Sequence, residues 1–174
     1  LNALIVEDDD TTQTIIESII APKVGQVWKA STGLEAYELC EQFQMDIIVS
    51  DIYMPEMDGI EFLKMLKNLE QTPTTMIITG LPNQDILHNA LRLGAFDFVL
   101  KPFEKVVLEK RISNLVQFAK LKKLENKIYL ALSDLIETPS DSQSLDRHSK
   151  DIAIELMLQL LQLRFESSDL KKAS

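Results

Sequence analysis

The first hundred residues predict a parallel α/β sheet of five strands with helices on both faces, and the rest of the chain predicts a helical extension. Short β-branched or apolar runs alternate with amphipathic stretches of helical periodicity up to residue 103, where the alternation stops. Turn-forming residues separate the segments. Alternation of this kind is typical of βα units that feed a parallel sheet buried on both faces.

The predicted strands and helices follow in strict alternation. Strands are expected at residues 2–6, 25–30, 45–50, 74–79 and 96–100. The stretches between them, at residues 10–20, 33–43, 57–69 and 83–93, are each long enough for a crossover helix. Thr32-Gly33, Pro55, Pro73, Pro82 and Gly94 mark the joins.

The extension begins where the strand pattern ends. Apolar positions recur at helical spacing and predict one long helix from the last strand to about residue 136; they are Leu108, Ile112, Leu115, Ala119, Leu121, Leu124, Ile128, Ala131 and Leu135. A turn-rich linker is predicted at residues 138–146 and a second helix at 147–166. We therefore expect one domain at 1–118 and a helical extension at 119–174. The extension carries enough apolar surface to require packing on itself or on a second chain.

Composition limits the possible functions. Apolar residues make up 45% of the 174 residues, which is enough for a buried core. A single cysteine and no recognisable leader predict a reducing, cytoplasmic setting. The longest nearly apolar stretch, residues 152–163, is too short to span a bilayer.

The charge is unevenly distributed. Residues 1–102 contain 6 Lys+Arg and 16 Asp+Glu, a net charge of −10, whereas residues 103–174 contain 12 and 11, a net charge of +1. Repulsion from the acidic part argues against binding to nucleic acid.

Polar residues follow four of the predicted strands. Glu7 and Asp8 follow the first strand, Asp51 the third and Lys101 the fifth, while Thr79 ends the fourth. The carboxyl ends of parallel strands meet at one edge of a sheet, where ligands bind. We therefore expect these five side chains to share one crevice.

Three carboxylates and a lysine suit phosphoryl transfer to a carboxylate. An aspartate oxygen can attack phosphorus if the negative charge of the reactants is neutralised. Mg²⁺, or Mn²⁺, prefers such oxygen ligands, and Glu7, Asp8 and Asp51 supply them. Lys101 would pair with Asp51 before the reaction and with phosphoryl oxygens afterwards.

These motifs resemble those of bacterial two-component response regulators over residues 1–118. The similar segments are Ile5-Val6-Glu7-Asp8, Asp51-Ile52-Tyr53-Met54-Pro55-Glu56-Met57-Asp58-Gly59, Ile78-Thr79-Gly80 and Lys101-Pro102-Phe103. The resemblance implies a doubly wound, flavodoxin-like receiver fold with strand order 2-1-3-4-5. It also implies Mg²⁺-dependent phosphoryl transfer from a sensor histidine kinase or phosphotransfer protein, and signalling through the face of the fourth helix, fifth strand and fifth helix.

The resemblance assigns a role to individual residues. Asp51 is the expected phosphoacceptor, and the expected metal ligands are Glu7, Asp8, Asp51 and the backbone carbonyl of Tyr53. Thr79 and Lys101 would bind the phosphoryl group, beside Gly80, whose small size leaves that pocket open. Phe98 is either the switch aromatic or a plain core residue.

The extension allows several outputs. Its start is weakly similar to the opening helices of HD-GYP cyclic di-GMP phosphodiesterase domains, but His148 has no HD or GYP partner motif in this sequence. The alternatives are the N-terminal part of a receiver-HD-GYP phosphodiesterase without its catalytic remainder, a dimerising helical hairpin, a DNA-binding regulator and a scaffold without phosphorylation. We expect a homodimer, formed through the extension or through the fourth helix, fifth strand and fifth helix, and no enzyme.

Overall fold

The computed structural model of the chain describes residues 1–80, 83–137, 152 and 155–159. The elements alternate along the chain as β1 (Asn2–Val6), α1 (Asp10–Ile20), β2 (Gln26–Ala30), α2 (Gly33–Gln42), β3 (Ile47–Asp51), α3 (Gly59–Leu66), β4 (Thr74–Thr79), α4 (Gln84–Arg92), β5 (Asp97–Leu100) and α5 (Lys105–Glu137). A short 3₁₀ turn, Ala21–Lys23, follows α1.

The five strands form one parallel sheet in the order β2-β1-β3-β4-β5. This confirms the predicted doubly wound fold. The chain runs from β1 outward to β2 and then crosses back to β3, so the strand order reverses between β1 and β3. The crevice at this reversal is where ligands bind in such sheets.

Apolar residues cover both faces of the sheet, because successive side chains of a strand point to opposite sides. On one face, Ile5, Val49 and Ile78 lie in a cluster with Ile16 of α1 and Ile112 of α5. The other face contributes residues such as Leu4, Ile48 and Ile77 to a cluster with Phe62, Leu66 and Ala90 from α3 and α4. The buried strands therefore hold their carboxyl ends in a fixed relation.

Side-chain caps decide where four of the helices begin. Asp9, Thr32, Asp58 and Asn83 each accept a hydrogen bond from a backbone N–H in the first turn of α1, α2, α3 and α4. The cap at Asp58 explains why α3 begins at Gly59, two residues after the predicted start. Before it, Glu56 has a positive φ of 65° and the N–H of Met57 donates to the carbonyl of Pro55 at 2.7 Å, which makes a γ-turn.

The predicted bounds of several elements differ from the observed ones by one to three residues, most at β3 and α3. β3 includes Asp51 instead of ending before it, because Asp51 still pairs with Ile78 of β4. α3 ends at Leu66, three residues before the predicted end, and Lys67 is its C-cap. The long helix α5 runs to Glu137, one residue past the expected end.

The chain divides into two compact units, residues 1–119 and 120–174. In the second unit Leu124 and Ile128 are buried, whereas Tyr129, Leu130, Met157 and Leu158 are exposed. Residues 152 and 155–159, which fall within the helix predicted at 147–166, are helical. The predicted linker at 138–146 and His148 lie outside the described residues.

Within the part of the chain that the structure describes, no helix combines the length and the apolar character needed to cross a membrane.

Candidate functional site

The polar residues predicted from the strand ends lie at one edge of the sheet. Asp51 is the last residue of β3, Thr79 the last of β4, and Glu7 and Lys101 directly follow β1 and β5. β1 and β3 are neighbours, with Val6 paired to Ser50. Glu7 and Asp51 therefore flank the point at which the strand order reverses.

Lys101 joins two buried carboxylates at this edge. Its Nζ lies 2.6 Å from Oδ2 of Asp51, and 2.8 Å and 2.7 Å from Oε1 and Oε2 of Glu7. Glu7 is 2% exposed and Asp51 7% exposed. The contact with Asp51 was expected from the sequence, but the contact with Glu7 was not.

The second oxygen of Asp51 is held by the backbone. Oδ1 accepts hydrogen bonds from the N–H groups of Ile52 and Tyr53, the latter at 3.2 Å. These bonds and the ammonium of Lys101 fix the orientation of the carboxylate. The side chain of Tyr53 is 41% exposed, and the role of its carbonyl as a metal ligand stays a prediction.

The carboxylates of Glu7, Asp8 and Asp51 form an acidic group whose ligand oxygens all lie within 4.8 Å of one another. Such oxygens fit Mg²⁺, which binds hard donors at short distance and keeps several waters. Asp8 is exposed, so a cation can reach the group from solvent. Because Lys101 contacts both oxygens of Glu7, a cation that takes Glu7 as a ligand competes with this ammonium.

Burial and charge change the acidity of this group. Burial raises the pKa of Glu7 above its usual value, and the hydrogen bond and charge of Lys101 oppose this only in part. For Lys101, burial lowers the pKa, but the hydrogen bonds and charges of Asp51 and Glu7 outweigh it, so the net shift is upward. The lysine is therefore held as a cation.

Thr79, Gly80 and Phe98 lie on β4 and β5 or directly after β4. Thr79 is fully buried, and its carbonyl accepts a hydrogen bond from the N–H of Lys101 at 2.8 Å. Among the described residues, a Cβ added to Gly80 would meet the Cβ of Lys101 at 3.9 Å, an ordinary van der Waals contact. Phe98 is half-buried against the core cluster of Leu4 and Ile77. This packing is compatible with either predicted role of Phe98.

Sequence reasoning missed the importance of Gly59. Asp58 caps α3, and Gly59 is the first residue of that helix. In addition, a Cβ on Gly59 would lie 2.2 Å from the backbone oxygen of Asp51 and 2.9 Å from Cα of Ile52. Glycine therefore allows the start of α3 to approach the strand end that carries Asp51. The available signal was a glycine within a predicted helix, since glycine is less favourable in a helix than alanine.

A parallel sheet with a lysine-bound aspartate and an acidic group at its switch point defines the class of receiver-type signalling domains. Residues 3–113 match the model of the response regulator receiver domain family. The chain belongs to this family, and it therefore contains the receiver domain of a response regulator in two-component signalling.

The chain is also similar to individual known proteins and to solved structures. The chain is 32% identical to regulatory protein AtoC of Escherichia coli over 75% of its own length but 28% of that protein. It is 33% identical to chemotaxis protein CheY of Listeria monocytogenes over 60% of its length and 88% of that protein. A crystal structure of the N-terminal domain of an uncharacterized Wolinella succinogenes protein superposes with a TM-score of 0.63 at 31% identity, and 71% of this chain covers 98% of it.

Membership of the receiver domain family implies general properties. Receiver domains are signalling domains that bind Mg²⁺ through acidic residues beside a phosphorylated aspartate, and they interact with histidine kinases or phosphotransfer proteins. The chain spans about a quarter of AtoC, so the activity of such a longer relative does not transfer to it.

Proposed function

We propose that Asp51 accepts a phosphoryl group from the phosphohistidine of a sensor kinase or phosphotransfer protein and that this changes how the helical extension associates. The observation that supports this most strongly is the position of the Lys101 ammonium, 2.6 Å from the buried carboxylate of Asp51 in the acidic group.

The chemistry is an in-line displacement at phosphorus. An oxygen of Asp51 forms a bond to phosphorus while the bond from phosphorus to the imidazole nitrogen of the donor breaks, and the imidazole leaves with that electron pair. Lys101 moves from carboxylate oxygens to phosphoryl oxygens and compensates their charge. The hydroxyl of Thr79 donates to the phosphoryl group, and the N–H groups of Ile52 and Tyr53 keep the acceptor oriented.

Glu7, Asp8 and Asp51, with the carbonyl of Tyr53, would hold the divalent cation. Bound there, Mg²⁺ would neutralise charge on the phosphoryl oxygens. Lys101 supplies one positive charge to a group of three carboxylates, and the remaining negative charge favours cation binding by the group.

The switch would pass from the site into β5 and α5. The backbone hydrogen bond from Lys101 to Thr79 couples the ends of β4 and β5, and Phe98 lies three residues before Lys101. Inward movement of Thr79 toward a phosphoryl group would vacate space for Phe98 and alter the face of α4, β5 and α5. The exposed residues Leu100, Val106 and Val107 lie on β5 and α5 and offer apolar surface for a homodimer.

Intact mass spectrometry tests the acceptor. The full chain is incubated with Mg²⁺ and a small phosphodonor, and we expect one added phosphoryl group that Asp51→Asn abolishes. Asp9→Asn is the matched control, because Asn preserves the cap of α1 and Asp9 is not part of the acidic group. Phosphorylation of Asp51→Asn to the wild-type level would reject the proposal.

Light scattering on the same samples tests the output. We expect the phosphorylated chain to differ from the unmodified chain in average mass, and Asp51→Asn to remain constant. An identical mass in all samples would remove dimerisation as the output. No contact among the described residues favours an HD-GYP enzyme or a DNA-binding regulator over this output.

A further inference from the structure

We infer that Gln13 is a positioning residue for the metal-binding carboxylates, an inference that rests on the proposed function. Gln13 lies in the second turn of α1 and is buried, with 8% of its surface exposed. Its Nε2 donates to the backbone carbonyl of Glu7 at 3.2 Å and to that of Ala30 at 3.4 Å. One amide group thus contacts the ends of two neighbouring strands.

The need for this donor follows from where the β1–β2 ladder stops. The last ladder pair is Val6 with Ala30, and the N–H of Glu7 donates to the carbonyl of Ala30 at 3.0 Å. One residue further, the carbonyl of Glu7 lies beyond the paired residues. A buried backbone carbonyl without a donor is costly, so Gln13 supplies the hydrogen bond that the sheet no longer provides.

The hydrogen bond constrains the carboxylates because the loop is very short. Only Glu7, Asp8 and Asp9 separate β1 from α1. At the far end of this loop, Asp9 accepts from the N–H of Thr12 at 2.7 Å, and the N–H of Asp9 donates to Oε1 of Glu7 at 3.4 Å. Gln13 anchors the near end through the carbonyl of Glu7. Asp8, an exposed ligand candidate, is therefore held between two anchored residues.

Gln13 acts through backbone atoms, because its side-chain amide donates to the carbonyls of Glu7 and Ala30. Replacing a residue that orients a metal ligand without binding the metal itself typically lowers the metal affinity by about 10-fold to 100-fold. A purely structural role would instead lower the stability of the fold and leave the affinity of the folded protein for metal unchanged.

Direct counting of bound metal separates these roles. Mn²⁺ is titrated into the full chain, and free Mn²⁺ is measured by electron paramagnetic resonance, with circular dichroism to verify that each variant is folded. Gln13→Met keeps the length of the side chain and removes the donor, whereas Gln13→Asn keeps the amide but shortens its reach. We expect the Kd for Mn²⁺ to rise about 10-fold in both variants.

Ile16→Val is the matched control. Ile16 is buried one turn further along α1, so this change destabilises the same helix and leaves the hydrogen bonds of Gln13 to Glu7 and Ala30 in place. We expect its Kd to equal that of the wild type. Folded Gln13 variants with wild-type Kd, or an equal rise in Ile16→Val, would overturn the inference.

Different results would overturn the proposed metal site and the proposed role of Gln13. Absence of Mn²⁺ binding in the wild-type chain overturns the proposed metal site, and the role of Gln13 with it. Wild-type binding that Gln13→Met retains overturns the role of Gln13 alone. If Gln13→Met does not fold, the Kd of Gln13→Asn decides.

Discussion

Replacing Lys101 with methionine removes the cation that two buried carboxylates share. The ammonium contacts Glu7 and Asp51 at 2.6 to 2.8 Å, and the lysine side chain is 21% exposed. Methionine keeps an unbranched side chain of similar reach but has no charge. Three neighbouring carboxylates then lack a counter-ion unless a metal binds.

The expected loss of stability follows from this geometry. Removing one partner of a buried ion pair typically costs about 3–5 kcal/mol. Because Lys101 is partly exposed and Asp8 opens to solvent, we expect the lower end, about 3 kcal/mol in the free energy of unfolding without metal. Mg²⁺ should bind Lys101→Met more tightly than wild type, since it no longer displaces an ammonium. At one hundred times its Kd it restores about 2.7 kcal/mol.

Urea unfolding at mildly alkaline pH, with and without Mg²⁺, measures both effects. Lys29→Met is the matched control: its salt bridge to Glu17 at 3.1 Å joins side chains that are 44% and 38% exposed. We expect that control to lose no more than about 1 kcal/mol and to show the same gain from Mg²⁺ as the wild type. Weaker Mg²⁺ binding by Lys101→Met, or a loss as small as that of Lys29→Met, would refute the competition between lysine and metal.

Three further predictions follow from burial and close packing. Burial raises the pKa of Glu7 above its usual 4.5, so protons compete with Mg²⁺ for this carboxylate. Calorimetric titration should show the affinity for Mg²⁺ falling as the pH decreases through the raised pKa of Glu7. An affinity for Mg²⁺ that does not change with pH would contradict this. Burial raises the pKa of Cys40 from 9.0 to about 12, so near neutral pH its thiolate population is about a thousandfold lower than that of a free thiol. A disulfide reagent should therefore label the native chain far more slowly than the urea-unfolded chain. Equal labelling rates would show that the thiol is accessible. Gly59→Ala places a Cβ 2.2 Å from the backbone oxygen of Asp51, so thermal unfolding should show a loss of about 3 kcal/mol in stability, and phosphorylation should slow. At Gly25, the control, the nearest atom to an added Cβ would be 3.4 Å away, so alanine should be tolerated there. Equal melting temperatures of the two variants would contradict the clash.

Much of the site was predictable because its residues occupy fixed places at strand ends. The period of apolar residues located each strand, and polar residues directly after those strands had to meet at one edge once the sheet was parallel. This reasoning brought Glu7, Asp8, Asp51 and Lys101 together. Their roles in phosphoryl transfer stay predictions, since geometry alone does not test them.

Other features depend on distances that no local pattern contains. The sequence predicts only that Gln13 lies on an amphipathic helix. The end of the β1–β2 ladder in the structure shows which backbone carbonyl needs a hydrogen bond from its amide. The close approach of Gly59 to the end of β3 becomes visible only when α3 is placed against that strand. The predicted α3 runs three residues past the observed end because apolar periodicity continues through residues that form turns instead.

The amino-acid sequence by itself determined the number, type and order of the strands and helices in residues 1–103, because apolar periodicity and helix caps act over a few neighbouring residues. Only the tertiary structure decided that Lys101 bridges Glu7 as well as Asp51, residues 94 and 50 positions away. The physical reason is that a flexible lysine side chain can reach either carboxylate, and its choice depends on how closely β1, β3 and β5 bring their ends together.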